Sequence, residues 1–222
     1  MIELVGTPII TAVELAMVAR LRLGLGKMVK SVETYGGELD DETDEVIRRF
    51  PAAWVTFGGV RDSSPVSTSR GKWKKEALFA VMVGARSVRN EQAARHGGAG
   101  RHEVGTNQLI YAVNRLLTQQ DLDLPIRELA PGRIRTLRHV LVQREAFSCF
   151  AIEFHTAWID DALPHGRFPA PTGPTDPDAI FEQHGGELGQ PDPDWLRTGL
   201  NYHLAPDDGN PDATDLIGPD KE

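Results

Sequence analysis

The residues with the most chemical potential lie in RNEQAARHGGAGRHEVG, residues 89 to 105, where His96 and His102 and three arginines bracket a glycine run. A phosphate cradle is the first chemistry to test. A P-loop needs G-x-x-x-x-G-K-[ST], so that a lysine and a hydroxyl reach the phosphates and magnesium, and GGAGRHEVGT has neither Lys-Ser nor Lys-Thr. A dinucleotide fingerprint needs its glycines directly after a strand, whereas Gly97, Gly98 and Gly100 come well after the preceding apolar run. His96, His102 and Glu103 have the chemistry of a zinc or manganese set. Their glycine-rich setting offers no rigid element to hold a first shell, and a flexible connection is the stronger reading.

The other candidates are weaker. Cys149 sits within an apolar alternating run and reads as a small core side chain, since a reactive thiolate needs an exposed, electropositive setting. One cysteine makes no intrachain disulfide, as expected of a protein assembled in a reducing cytoplasm. His139 and His155 read as sheet-face residues, and His165, His184 and His203 belong to the C-terminal segment. GELDDETDE lacks the alternation of a calcium loop and reads as a solvated acidic turn. No nucleophile elbow marks a hydrolase. These exclusions leave hydrolase chemistry without support and make nucleotide and metal sites the weaker readings; no cofactor is expected.

Charge divides the 222 residues unevenly: residues 160–222 carry 14 acids against three bases, and residues 1–159 carry 18 against 21. The net charge of −8 is thus the sum of an acidic tail and a slightly basic body. Within the body, Arg61, Arg70, Lys72, Lys74, Lys75, Arg86, Arg89, Arg95 and Arg101 face only Asp62, Glu76 and Glu91, a net of +6 in what reads as two loops. Such loops suit a polyanion or the acidic surface of a partner. The acidic tail and the turn at 38–45 are candidate counterparts on a neighbouring subunit. No apolar run is long enough to span a bilayer, no membrane is expected as a partner, and the first residues lack the basic start of a secretory signal.

The elements that must position these residues follow from periodicity. Ile10, Val13, Met17, Leu21 and Leu25 predict an amphipathic helix over residues 8–25, with Thr7 and Pro8 at its start and an end near Gly24 or Gly26. KMVKSVETY reads as a strand and DDETDEVIRRF as a short helix or turn. AAWVTFGG and EALFAVMVGA predict an antiparallel pair, the second central in its sheet, joined by the exposed connector RDSSPVSTSRGKWKK. Leu109, Val113, Leu116 and Leu117 form the stripe of a second helix, with Thr106 as a candidate cap. LDLPIREL reads as a short edge segment, Pro131-Gly132 as a turn, and RIRTLRHVLVQ as a strand. In FSCFAIEFHTAWI, Phe150, Ile152, Phe154, Thr156 and Trp158 share one face of a strand, and Cys149, Ala151, Glu153, His155 and Ala157 the other. The expected fold is α+β: a mainly antiparallel sheet with two principal helices on one face, residues 1–159, followed by an extended acidic Pro/Gly-rich arm, residues 160–222. Phe168, Ile180, Phe181, Trp195, Leu196 and Leu200 are its candidate docking anchors, and the arm is expected to order only against a neighbour.

Several short stretches in order, VETYGGEL, FPAAWVTFGG, ARSVRNEQAAR, VGTNQLIYAVNRLLTQQDLDLPIREL and FAIEFHTAWI, resemble the phage Mu-like tail terminator family, also described as a tail completion family. The resemblance covers roughly residues 8–159. It implies a subunit similar to the lambda-type tail terminators, forming a homo-hexameric ring on the head-proximal end of a tail tube. That ring would meet the tube protein, the neck or connector protein and, in a contractile tail, the last sheath ring, with DNA only as passing cargo. It implies a virion location in the tail or neck, assembly in the host cytoplasm, and no catalytic residues. The nine basic residues are then candidate inter-subunit or inter-ring contacts. A head-completion or adaptor protein of the neck is the rival within the virion, and a nucleic-acid-binding protein or metal-dependent enzyme using the basic loops with His96, His102 and Glu103 is the rival outside it.

Overall fold

Alternation and helical stripes place the core between one sheet and two helices. The computed structural model describes residues 6–36, 49–87, 91–98, 104–142, 145–189, 197–206 and 209–218. In chain order the elements are α1 (Ile9–Leu25), a 3-10 turn (Gly26–Met28), β1 (Ser31–Thr34), β2 (Ala52–Pro65), β3 (Lys72–Ser87) and α2 (Glu91–His96). They continue with α3 (Thr106–Leu117), β4 (Ala130–Val142), β5 (Glu145–Asp161), α4 (Ala179–Gln183), β6 (Thr198–Tyr202) and β7 (Ala213–Ile217). The main sheet has the order β1-β2-β3-β5-β4, with β3 at its centre, and only the short β1 runs parallel to its neighbour β2. The fold is the expected α+β.

Both faces of the sheet are apolar at one end, although the alternation of FSCFAIEF read as a half-buried strand. On the helix side Val13, Met17 and Leu21 of α1 and Leu109, Val113 and Leu117 of α3 meet Ala53, Val55, Phe79, Val81, Ile152, Phe154 and Trp158. Each of the larger side chains is stabilising by roughly 1.5–3 kcal/mol when fully buried. On the opposite face Phe50, Ala52, Trp54, Met82, Cys149 and Ala151 form a second, smaller core. Cys149 is buried there, as its apolar surroundings predicted.

The helix ends differ from the expectation in an informative way. Neither threonine caps: Pro8 and Gly105 hold the two N-cap positions. Gly105 N–H donates to Gln108 Oε1 at 3.1 Å, which leaves the Thr106 hydroxyl free to turn inward and pair with Ser148 Oγ at 2.8 Å in the core. Gly24 does not end α1 but lies in its last turn, where a Cβ would come 2.4 Å from Leu116 Cδ2; the glycine is the contact point of the two helices. Gly26, at φ 50°, is the stop.

Three further segments depart from their sequence readings. The connector 61–75 is mostly strand, because β2 runs to Pro65, β3 begins at Lys72, and β3 stays paired with β5 as far as Lys72↔Asp161. Past the core both faces of this extension meet water, so its residues are polar on both sides and the period-two signal vanishes although the ladder continues. Pro131-Gly132 is no turn but lies within β4, at a register shift between Pro131 and Ile134 that accommodates the missing N–H at an edge strand. LDLPIREL is a tight turn and not an edge strand: Leu124 N–H donates to Asp121 O at 3.1 Å and Ile126 N–H to Leu124 O at 2.7 Å. The acidic turn at 38–45 and most of DDETDEVIRRF fall outside the described residues.

Candidate interaction surfaces

The extension of β2, β3 and β5 beyond the core forms an arm that carries five of the nine basic candidates. Its base is set by two register shifts in β2, one at Phe57/Gly59 and one at Val60/Asp62, which bend the strand where the helices stop covering it. At the first shift the Phe57 N–H donates to Glu14 Oε1 of α1 at 2.6 Å, so a helix side chain supplies an acceptor beside the irregularity. The tip closes through Val66 N–H to Lys72 O at 2.9 Å and Arg70 N–H to Ser67 O at 3.1 Å, with Arg70 at φ 55°. Trp73 Nε1–H braces the tip by donating to Arg70 O at 3.0 Å.

The charges on this arm are partly matched within the chain. Lys72 lies 3.4 Å from Asp161, Lys74 Nζ lies 2.7 Å from Glu76 Oε1, and Lys75 Nζ donates to Ser63 Oγ at 3.2 Å. The hydrogen bond and charge of Lys74 hold the Glu76 carboxyl below its ordinary value, with lesser help from Arg127 and Arg61. Arg61, Asp62, Glu76, Arg127 and His155 surround a cavity of about 430 Å³ at the base of the arm. Acids and bases both line it, and the Thr156 hydroxyl donates to the Arg127 carbonyl.

The remaining basic candidates are elsewhere. Arg86 is exposed near the far end of β3 and Arg95 is exposed in the last turn of α2, while Arg89 and Arg101 lie outside the described residues. At about 3.3 Å per strand residue, Lys72 and Arg86 are roughly 45 Å apart along β3. Among the described residues, the basic candidates are therefore divided between a stranded arm and a distant corner that holds Arg86 and Arg95. The corner contains α2, where a slack connection was expected: Ala94 is buried. Gly105 sits so close beneath it that a Cβ would come 2.3 Å from Gly97 N. Of the metal candidates, His102 and Glu103 are outside the described residues; among those described, no three His, Cys, Asp or Glu converge on a metal-sized site. No helix among them is long and apolar enough to cross a membrane.

Two surfaces went unseen in the sequence because residues distant in the chain compose them. One is a cavity of about 900 Å³ beside the arm, walled by Ile9 and Ala12 of α1, Val66, Ile126, Trp158 and Ile159, with Lys74, Arg127 and Asp160 among its polar groups. Pro177 and Thr175 of the acidic segment border it, so this segment lies near the body there. The other is the back-face core, where Trp54 Nε1 is buried without an acceptor among the described residues. Of the predicted anchors, Phe168, Ile180, Phe181 and Leu200 are exposed, and Trp195 and Leu196 fall outside the described residues. A family model described as Bacteriophage Mu, Gp37 matches residues 9–159, the span from the start of α1 to near the end of β5. No curated protein sequence matches the chain.

Proposed function

The chain belongs to the Bacteriophage Mu, Gp37 family, and on that premise we propose that this phage structural protein is a tail terminator, a ring that caps the head-proximal end of the tail tube and joins it to the neck. The family match carries the reading, because it covers the whole sheet with both of its long helices. The geometry supports it by what it offers for assembly. A closed ring needs two different, complementary surfaces on each subunit. The charged three-stranded arm and the apolar groove beside it form one such face, and the acidic segment after residue 160 supplies another.

In this reading residues 1–159 are the ring-forming body and residues 160–222 an arm that reaches a neighbour. The partners are other copies of the chain, the tube protein, the neck or connector protein and, in a contractile tail, the last sheath ring. The subunit works by shape and charge and has no catalytic role. The separation of the basic residues into an arm and a corner, with several arm cations already matched by acids, favours protein surfaces over a nucleic-acid groove. Electron microscopy of the purified chain, alone and mixed with tail tubes, is the test. Rings and capped tube ends are expected; uncapped tubes and no rings at high protein concentration would refute the reading.

A further inference from the structure

The last two strands carry an exposed surface. In the β6–β7 ribbon Thr198 pairs with Ile217, Leu200 with Asp215 and Tyr202 with Ala213. Alternation therefore puts Thr198, Leu200, Tyr202, Ala213, Asp215 and Ile217 on one, mostly apolar, face, with Asp215 opposite Leu200, and Gly199, Asn201, Thr214 and Leu216 on the other. All ten residues are exposed, with Leu200, Tyr202 and Ile217 at 37, 49 and 44 %. Among the described residues, neither strand packs extensively on any other element. A two-stranded hairpin alone is marginal in water, so an apolar face of this kind is stable only when covered.

Charge indicates what covers it. Residues 198–217 contain Asp207, Asp208, Asp212 and Asp215 and no lysine or arginine, whereas residues 61–75 contain Arg61, Arg70, Lys72, Lys74 and Lys75 against Asp62 alone. The basic arm stands beside the 900 Å³ groove, whose apolar wall includes Ile9, Val66, Ile126 and Trp158 and whose rim includes Lys74, Arg127 and Asp160, Lys74 being also the partner of Glu76. A mostly apolar strip that carries Asp215, in a segment without cations, and a mostly apolar groove whose rim holds Lys74 and Arg127 are complementary in both respects.

We propose that the apolar face of the β6–β7 hairpin of one copy docks into the groove beside the basic arm of a second copy. Donor and acceptor are different surfaces, so the contact repeats head to tail and closes only as a ring; in this the inference rests on the ring reading above.

The test uses full-length chains with distinguishable tags, one carrying Tyr202→Cys and the other Val66→Cys. Both positions are exposed, and the native Cys149 is buried. After mixing and mild oxidation, a disulfide-linked heterodimer is expected in the mixture and in neither variant alone. Adding Asp212→Lys and Asp215→Lys to the Tyr202→Cys chain is expected to lower the yield severalfold. Rings visible by electron microscopy without the heterodimer would overturn the docking and leave the ring reading intact. The heterodimer without rings would support the docking and overturn the ring reading, and the absence of both would overturn both.

Discussion

Replacing Gly84 and Phe50 by alanine, singly and together, tests the back face of the sheet. Gly84 pairs with Ala52 on one side and Cys149 on the other. A Cβ built on it would stand 2.0 Å from Phe50 Cε1 and 2.6 Å from Cδ1 and Cζ. Carbon atoms rest at about 3.5–4.0 Å, so the ring must withdraw by roughly 1.5–2 Å. Phe50 is fully buried and packs edge-on against Trp54, centroids 6.0 Å apart, which limits that withdrawal. Gly84→Ala is therefore expected to destabilise by about 1–3 kcal/mol through overpacking. Phe50→Ala removes the ring and leaves a cavity, at a cost of about 3–5 kcal/mol. If the sites were independent, the double variant would lose about 4–8 kcal/mol. Because the new methyl occupies space the ring has vacated, the double variant is expected to lose no more than Phe50→Ala alone, a coupling of about 1–3 kcal/mol. Urea unfolding followed by far-ultraviolet circular dichroism reads all four chains. Losses that add to within about 0.5 kcal/mol would refute the packing of Phe50 over Gly84.

Three shorter predictions follow from single contacts. Glu14→Ala strips the acceptor from the Phe57 N–H and is expected to destabilise by about 1–3 kcal/mol in urea unfolding, with Glu14→Gln clearly milder; equal losses for both would contradict the contact. Thr106→Val and Ser148→Ala each leave a buried hydroxyl or its partner unmatched, so each is expected to lose about 1–3 kcal/mol, and the double variant clearly less than their sum. Lys74 lowers the Glu76 carboxyl below its ordinary 4.5. A depressed folded value means the pair is stabilising above the unfolded value and that this contribution fades as pH falls through the folded one. The difference in melting temperature between the native chain and Lys74→Met is expected to be steady above about pH 5 and to shrink below about pH 4.5; a difference unchanged with pH would oppose it.

What the amino-acid sequence determined by itself were the elements that one local period describes. The stripe from Ile10 to Leu25, the stripe from Leu109 to Leu117 and the alternation from Cys149 to Trp158 each encode which face is buried, because burial repeats with the geometry of the helix or strand. The near-continuous run around Phe79 marks the centre of the sheet for the same reason, since a strand covered on both faces has no polar side. The uneven charge was equally legible, being a property of composition.

Only the tertiary structure decided where the charge went and what it could meet. The arm is held by a backbone ladder shared with β5 beyond the core, and hydrogen bonds between backbones leave no mark on side-chain patterning. Gly84 and Gly24 look like any strand or helix glycine until Phe50 and Leu116, far away in the chain, approach them. The groove likewise joins Ile9, Val66, Ile126 and Trp158, four positions brought together only by the closing of helix, arm and sheet. Local physics wrote the elements into the chain, while the surfaces proposed to hold neighbouring subunits arise from contacts between elements, which no short stretch of sequence contains.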